Sequence, residues 1–293
     1  YGYDFSESQR WSLQNYSNQT MTRMLLGMDD HEYEHVTREL MIFDYDLTVE
    51  QLENDGSAWI RCDITRIRVE DETMGYYVTY DSEEDLPVPQ QFEALSMLVG
   101  QSYRLHITPV GLVEDADVEQ MHENIEEKLQ DNPDGEEIMQ GLQRQFSRDR
   151  IIEQTQMMLA IYPDEPVRLG QRWQRQLNFS LVSPMVIEQE WMIRGMRNDS
   201  AIISSEATIS NADAPRRRRR DVGHTEIDVT GTQTGRSEVD IETGRIIESE
   251  KQRSLEGTLY MSLPGTDERM DVPVKIESLI RVTMDKINGG EID

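Results

Sequence analysis

A pair of turn-and-strand landmarks occurs twice along the chain, in the same order. Asn54-Asp55-Gly56-Ser57-Ala58 opens one passage and Asn198-Asp199-Ser200-Ala201 opens the other. With Gly56 skipped, both read Asn-Asp-Ser-Ala, and an alternating run follows each. Asn-Asp-Gly is a turn sequence, and the alternation marks a half-buried strand. In the first copy Ala58, Ile60, Cys62 and Ile64 share one face, so Cys62 reads as a small core residue. A Gly-bearing hairpin follows each landmark, at Gly111-Leu112-Val113-Glu114 and at Gly244-Arg245-Ile246-Ile247-Glu248. Matched landmarks in matched order point to two similar antiparallel halves, a possible duplication.

Between the halves the hydrophobic period changes. Met121, Ile125 and Leu129, then Ile138, Leu142 and Phe146, then Ile152, Thr155 and Leu159 fall at helical spacing. Asn132-Pro133-Asp134-Gly135 ends the first of these helices, and Asp149 is a candidate cap for the third. Met21, Met24, Leu25 and Met28 form a further helical stripe near the N-terminus. The expected fold is therefore α+β and β-dominated, with two sheet halves joined by a helical segment. Its parts are an N-terminal arm with a short helix (1–30), a first β half (31–115), a helical connector (116–163) and a second β half (164–293).

Charge narrows the choice of partners. The 293 residues carry 57 Asp and Glu against 29 Lys and Arg, a net charge of -28. Residues 1–150 hold 33 of the acids and 11 of the bases, so the excess is concentrated in the first half. Such a field repels nucleic acid and anionic lipid and attracts cations and basic surfaces. No apolar run reaches the roughly 18 residues of a membrane-spanning helix. The chain opens Tyr1-Gly2-Tyr3, which suits a mature exported protein whose signal has been removed.

Tyr80-Asp81-Ser82, the Gly100 strand with its Gly111 hairpin, a helical region ending at Pro163 or Pro166, Gly170-Gln171-Arg172-Trp173 and the Gly244 hairpin stand in a fixed order. Together they resemble an uncharacterised family of exported bacterial proteins, a domain of unknown function, over roughly residues 33–287. The resemblance implies export to the periplasm, the cell surface or the extracellular space. It brings no known activity and no catalytic residues.

Four groups of residues carry possible chemistry. His31-Glu32-Tyr33-Glu34-His35 is an H-E-x-x-H sequence. On a helix His31 and His35 would share a face, bind zinc and leave the glutamate to activate water. The acidic setting speaks against that, and the family resemblance places these residues at the start of a strand. The acidic stretches Glu83-Glu84-Asp85 and Asp131–Glu137 are candidates for Ca²⁺, although Asp131-Asn132-Pro133-Asp134-Gly135 departs from EF-hand spacing and solvated acidic loops fit both better. Met21, Met24 and Met28 fit packing better than Cu(I). Arg216, Arg217, Arg218, Arg219 and Arg220 form a run of like charge, expected as an exposed loop that docks on acidic surface of a second copy or a companion protein. No phosphate loop, nucleophile elbow or Cys/His pair is present. The leading expectation is a non-catalytic envelope protein, an assembly subunit or a protein-binding module. The alternatives are a carrier of an apolar ligand between curved sheets and a zinc-dependent hydrolase through His31 and His35.

Overall fold

A computed structural model describes residues 2–26, 31–159, 161–180, 183–212, 225–262 and 269–287. Among them are twelve strands: β1 Arg10–Leu26, β2 Glu32–Leu52, β3 Ala58–Thr73, β4 Tyr76–Asp81, β5 Ser102–Ile107, β6 Val113–Asp117, β7 Arg172–Ser180, β8 Pro184–Arg197, β9 Ser200–Asn211, β10 Thr225–Asp240, β11 Ile246–Ser262 and β12 Arg269–Lys286. A four-residue turn of helix, α1 (Glu93–Ser96), precedes the connector helices α2 (Glu119–Leu129), α3 (Gly135–Gln145) and α4 (Arg148–Leu159).

All the strands belong to one antiparallel sheet, in the order β6-β5-β3-β2-β1-β12-β11-β10-β9-β8-β7, with β4 beside β3. The chain steps from the centre out to one edge, crosses through the helices, and returns from the other edge to the centre. There β1 pairs β12 from Trp11↔Lys286 to Arg23↔Val274. The two halves expected from the landmarks are thus one continuous sheet. Within it, β2-β3-β5-β6 and β8-β9-β10-β11 follow the same succession, and the Gly111 and Gly244 hairpins hold equivalent places.

The N-terminal helix is not formed. Met21 and Leu25 lie in β1, paired on one side with β2 and on the other with β12. A spacing of four is compatible with either period, so both residues share a face in a strand as they would in a helix. Met24 points to the opposite side, between Arg23 and Leu25. Ladder bonds to two neighbours outweigh the helical propensity of the methionines. On either side of the boundary expected near residue 31, β1 and β2 pair from Arg10↔Thr48 to Leu26↔Glu32, and Met28 lies outside the described residues.

Helix α4 occupies the gap between the sheet's free edges. On the β6 side Arg148 Nε donates to Asp115 Oδ1 at 2.7 Å. On the β7 side the Ser180 amide donates to Glu153 Oε2 at 3.0 Å, and Arg150 donates to the Ser180 carbonyl. Side chains from one helix therefore take the place of a ladder that would have closed the sheet into a barrel. The cap of α4 is Ser147, whose Oγ accepts from the Arg150 amide at 3.4 Å; Asp149 lies two residues on, within the first turn.

The N-terminal residues tie the two hairpins together. The Tyr3 amide donates to the Pro109 carbonyl at 2.7 Å, and the Asp4 amide donates to the Thr243 carbonyl at 2.8 Å. Gly244 has φ +69°, and a Cβ there would stand 1.9 Å from the Gly2 carbonyl oxygen. Only glycine satisfies both the turn and this close approach. Tyr3 is buried edge-on against Tyr162, with ring centroids 5.1 Å apart. The inward face of the sheet holds two apolar clusters. One joins the helices to β1, β2, β3, β5 and β6 and to one end of β8–β12, and the other spans β7 to β12 at their opposite end.

Candidate binding cavity

Inward positions on β11 alternate as Ser249, Lys251, Arg253 and Leu255, while Glu248, Glu250 and Gln252 face outward. Lys251 is 7% exposed. It lies opposite Gly235 of β10, where a Cβ would come within 3.1 Å of the Lys251 Cγ. The bare backbone at Gly235 therefore gives room for the lysine stem. The ammonium donates to the main-chain carbonyl of Met157 in the last turn of α4. That carbonyl is one that the helix leaves unpaired, at the negative end of its dipole.

Arg253, two residues on, places Nε and Nη2 at 3.2 and 3.0 Å from Gln233 Oε1. Its guanidinium lies 5.6 Å from the centre of the Phe179 ring on β7. That contact spans four strand positions, so the sheet curls strongly here. Burial brings the Lys251 ammonium down to about 8, and the neighbouring Arg253 charge adds to the effect. Burial alone brings the Arg253 guanidinium down to about 10. Neither value shows the upward pull that a neighbouring carboxylate exerts.

Both cations line a cavity of about 160 Å³ between the sheet and α4. Asn15 and Ser17 of β1, Ile280 and Val282 of β12, and Thr155 and Met157 of α4 complete much of its wall. Tyr45, Tyr103, Thr155 and Met158 also border a second, almost wholly apolar space of about 40 Å³. Leu13, Leu47, Ile60, Leu105 and Met284 enclose that space. The two adjoin across the Tyr45–Tyr103 pair, whose rings meet edge-on at 6.4 Å. Burial pushes both phenols well up, so they remain neutral donors at physiological pH. None of the described residues lining either space is an Asp or Glu.

The residues singled out by motif lie elsewhere. His31-Glu32-Tyr33-Glu34-His35 enters β2 as an extended chain, so Glu32 and Glu34 face away from His35. Arg23 Nη2 lies 2.9 Å from His35 Nδ1, and since a guanidinium only donates, that nitrogen is the acceptor. Among the described residues no group of three His, Cys, Asp or Glu converges as a metal site. Glu83 pairs with Arg66 at 3.2 Å, and Asn132 caps the turn before α3 through the Asp134 amide. Cys62 is buried, and burial pushes its thiol well up, as suits a core residue. Arg216, Arg217, Arg218, Arg219 and Arg220 lie outside the described residues.

Sequence motifs did not reveal Lys251 and Arg253 because β11 is polar on both faces. The available signal was parity: Leu255 and Leu259 are buried, and counting back in twos places Arg253 and Lys251 on the same inward side.

The fold and cavity define a class: an almost closed antiparallel sheet, sealed by a helix, around a small interior space with two cations. By sequence the chain belongs to a family of unknown function, DUF6263, whose model matches residues 55–246. No curated protein sequence matches it. Among solved structures it is similar to one described as "Lipid-protein interactions in lipovitellin", at 10% identity and a TM-score of 0.49. That match covers 98% of this chain and 26% of the other. It is similar more weakly to Pseudomonas aeruginosa OccK7 (OpdD), at 6% identity and a TM-score of 0.25, covering 97% of this chain and all of that one.

Proposed function

We propose that this protein is a non-catalytic binding protein that holds a small, largely apolar ligand between its curved sheet and helix α4. The observation that carries this reading is the pair of adjoining interior spaces sharing Tyr45, Tyr103, Thr155 and Met158. A well-packed interior leaves few voids larger than a water molecule. A cavity of about 150 Å³ suffices for a benzene-sized ligand. The larger space has that scale, and the thioether chains of Met157 and Met158 at its border are among the most adaptable side chains in proteins. The ligand class is therefore a compact molecule of about six carbons rather than a long lipid.

Calorimetric titration with 1-hexanol tests the reading. Saturable one-to-one binding that is lost when Thr155→Trp fills the shared border supports it. Absence of saturable binding, or binding unaltered in a folded Thr155→Trp variant, overturns it.

A further inference from the structure

We infer that the cavity selects an amphipathic monocarboxylate, its carboxylate held between Lys251 and Arg253 and its short chain directed past Tyr45 and Tyr103 toward Leu13, Ile60 and Met284. This rests on the binding function proposed above and adds the chemistry of the ligand's head.

Two cations stand on one strand at adjacent inward positions, and among the described residues the walls around them carry no acid. Burying a charge without a counter-charge is costly, and proteins normally pair such groups or leave them outside. Here the partners are neutral: a main-chain carbonyl for Lys251 and an amide oxygen for Arg253. A guanidinium has five N–H donors and an ammonium three, so these contacts leave donors on both groups. A carboxylate between them would accept from each and offset one of the two charges that the fold leaves uncompensated.

The bland reading of Lys251 is a helix cap, since it meets the C-terminal end of α4. It does not extend to Arg253, whose guanidinium bonds Gln233 on β10 and lines the same space. Nor would the molecule attract anions over its surface, because its net charge is -28. Selection of an anion would therefore be a property of the interior. The apolar space on the far side of the tyrosines gives the second half of the recognition. It has room for methylenes and, apart from Arg245 and Thr155, is lined by apolar and aromatic side chains and Cys62.

The experiment compares hexanoate, 1-hexanol and acetate on the full chain by calorimetry at pH 7, with wild-type protein, Lys251→Met and Arg253→Met. Hexanoate is expected to bind about tenfold more tightly than 1-hexanol, with acetate too weak to saturate. Arg253→Met is expected to abolish the roughly tenfold preference, so that the variant binds hexanoate no more tightly than it binds 1-hexanol. Equal affinity of hexanoate and 1-hexanol for the wild type overturns the inference and leaves the binding function standing. Wild-type hexanoate affinity in a folded Arg253→Met protein does the same, whatever Lys251→Met shows. Failure of both ligands to bind overturns the binding function itself.

Discussion

The Lys251 ammonium on β11 donates to the Met157 carbonyl on α4, 94 residues earlier in the chain. A single side chain thus joins the C-terminal end of the sealing helix to the middle of the sheet. Its depressed pKa shows that burial costs this charge more than the contact returns. Lys251→Met should therefore stabilise the free protein by roughly 2 kcal/mol at pH 7, read as a higher urea midpoint with an unchanged slope. The gain would come at the expense of anion binding, as is common where a site is built at a cost to the fold.

The same charge gives a pH signature. The ammonium titrates at about 8 in the folded protein and at 10.5 when free, so the folded state binds fewer protons between those values. The Lys251 contribution to stability accordingly rises with pH through this window, and its full cost is present below it. The groups facing it are Arg253 on its own strand, Tyr45 on β2 and Tyr103 on β5, with the Met157 carbonyl above. Both phenols titrate above the window. Glu39 and Asp71 lie three and four strands along the row that passes through Arg253. The advantage of Lys251→Met over wild type should shrink as pH rises from 8 to 10.5, measured by urea denaturation at closely spaced pH values.

The helical seam makes a separate prediction. Glu153 accepts from the Ser180 amide and hydroxyl, and it is about three-quarters buried. Glu153→Ala removes both acceptors at the β7 edge and should cost about 1–3 kcal/mol. Hydrogen exchange at the Ser180 amide should accelerate accordingly. Asp115→Ala on the opposite side removes a half-exposed pair with Arg148 and should cost less than about 1 kcal/mol.

Much of this architecture was legible in the sequence, and its failures have physical causes. The turns at Asn54 and Asn198 and the hairpins at Gly111 and Gly244 announce themselves because positive φ demands particular residues. The connector helices follow from steps of three as well as four, as in the buried Val118, Met121 and Ile125, which share a face only in a helix. The first strand misleads because Met21 and Leu25 are four apart, a separation common to both periods. Pairing of β1 with β12 joins residues more than 250 apart, and no local pattern encodes it. The cavity cations stay hidden for a related reason: Lys251 and Arg253 look like surface residues until the curl of the sheet turns their face inward.

The N-terminal strap is expected to matter beyond its length. Gly244→Ala places a methyl group against the Gly2 carbonyl and forces an L-residue into positive φ. It should destabilise the fold by more than about 2 kcal/mol, because Tyr3 and Phe5 must shift with it. Thermal unfolding compared with Gly75→Ala checks this. Gly75 also has positive φ but nothing within 4 Å of a Cβ, so the difference between the two variants isolates the lost strap contact.

The central claim, that the interior binds a small apolar ligand, is tested most directly by following methionine methyl resonances in protein labelled with ¹³C-methyl methionine during titration with 1-hexanol. Met157, Met158 and Met284 line the two spaces, whereas Met74 and Met196 are exposed at 68% and 47%. Saturable shifts at Met157, Met158 and Met284, with Met74 and Met196 unmoved, are the predicted result. Unchanged resonances at the three interior methyls up to the solubility limit of 1-hexanol, or equal non-saturating shifts at all five, would contradict it.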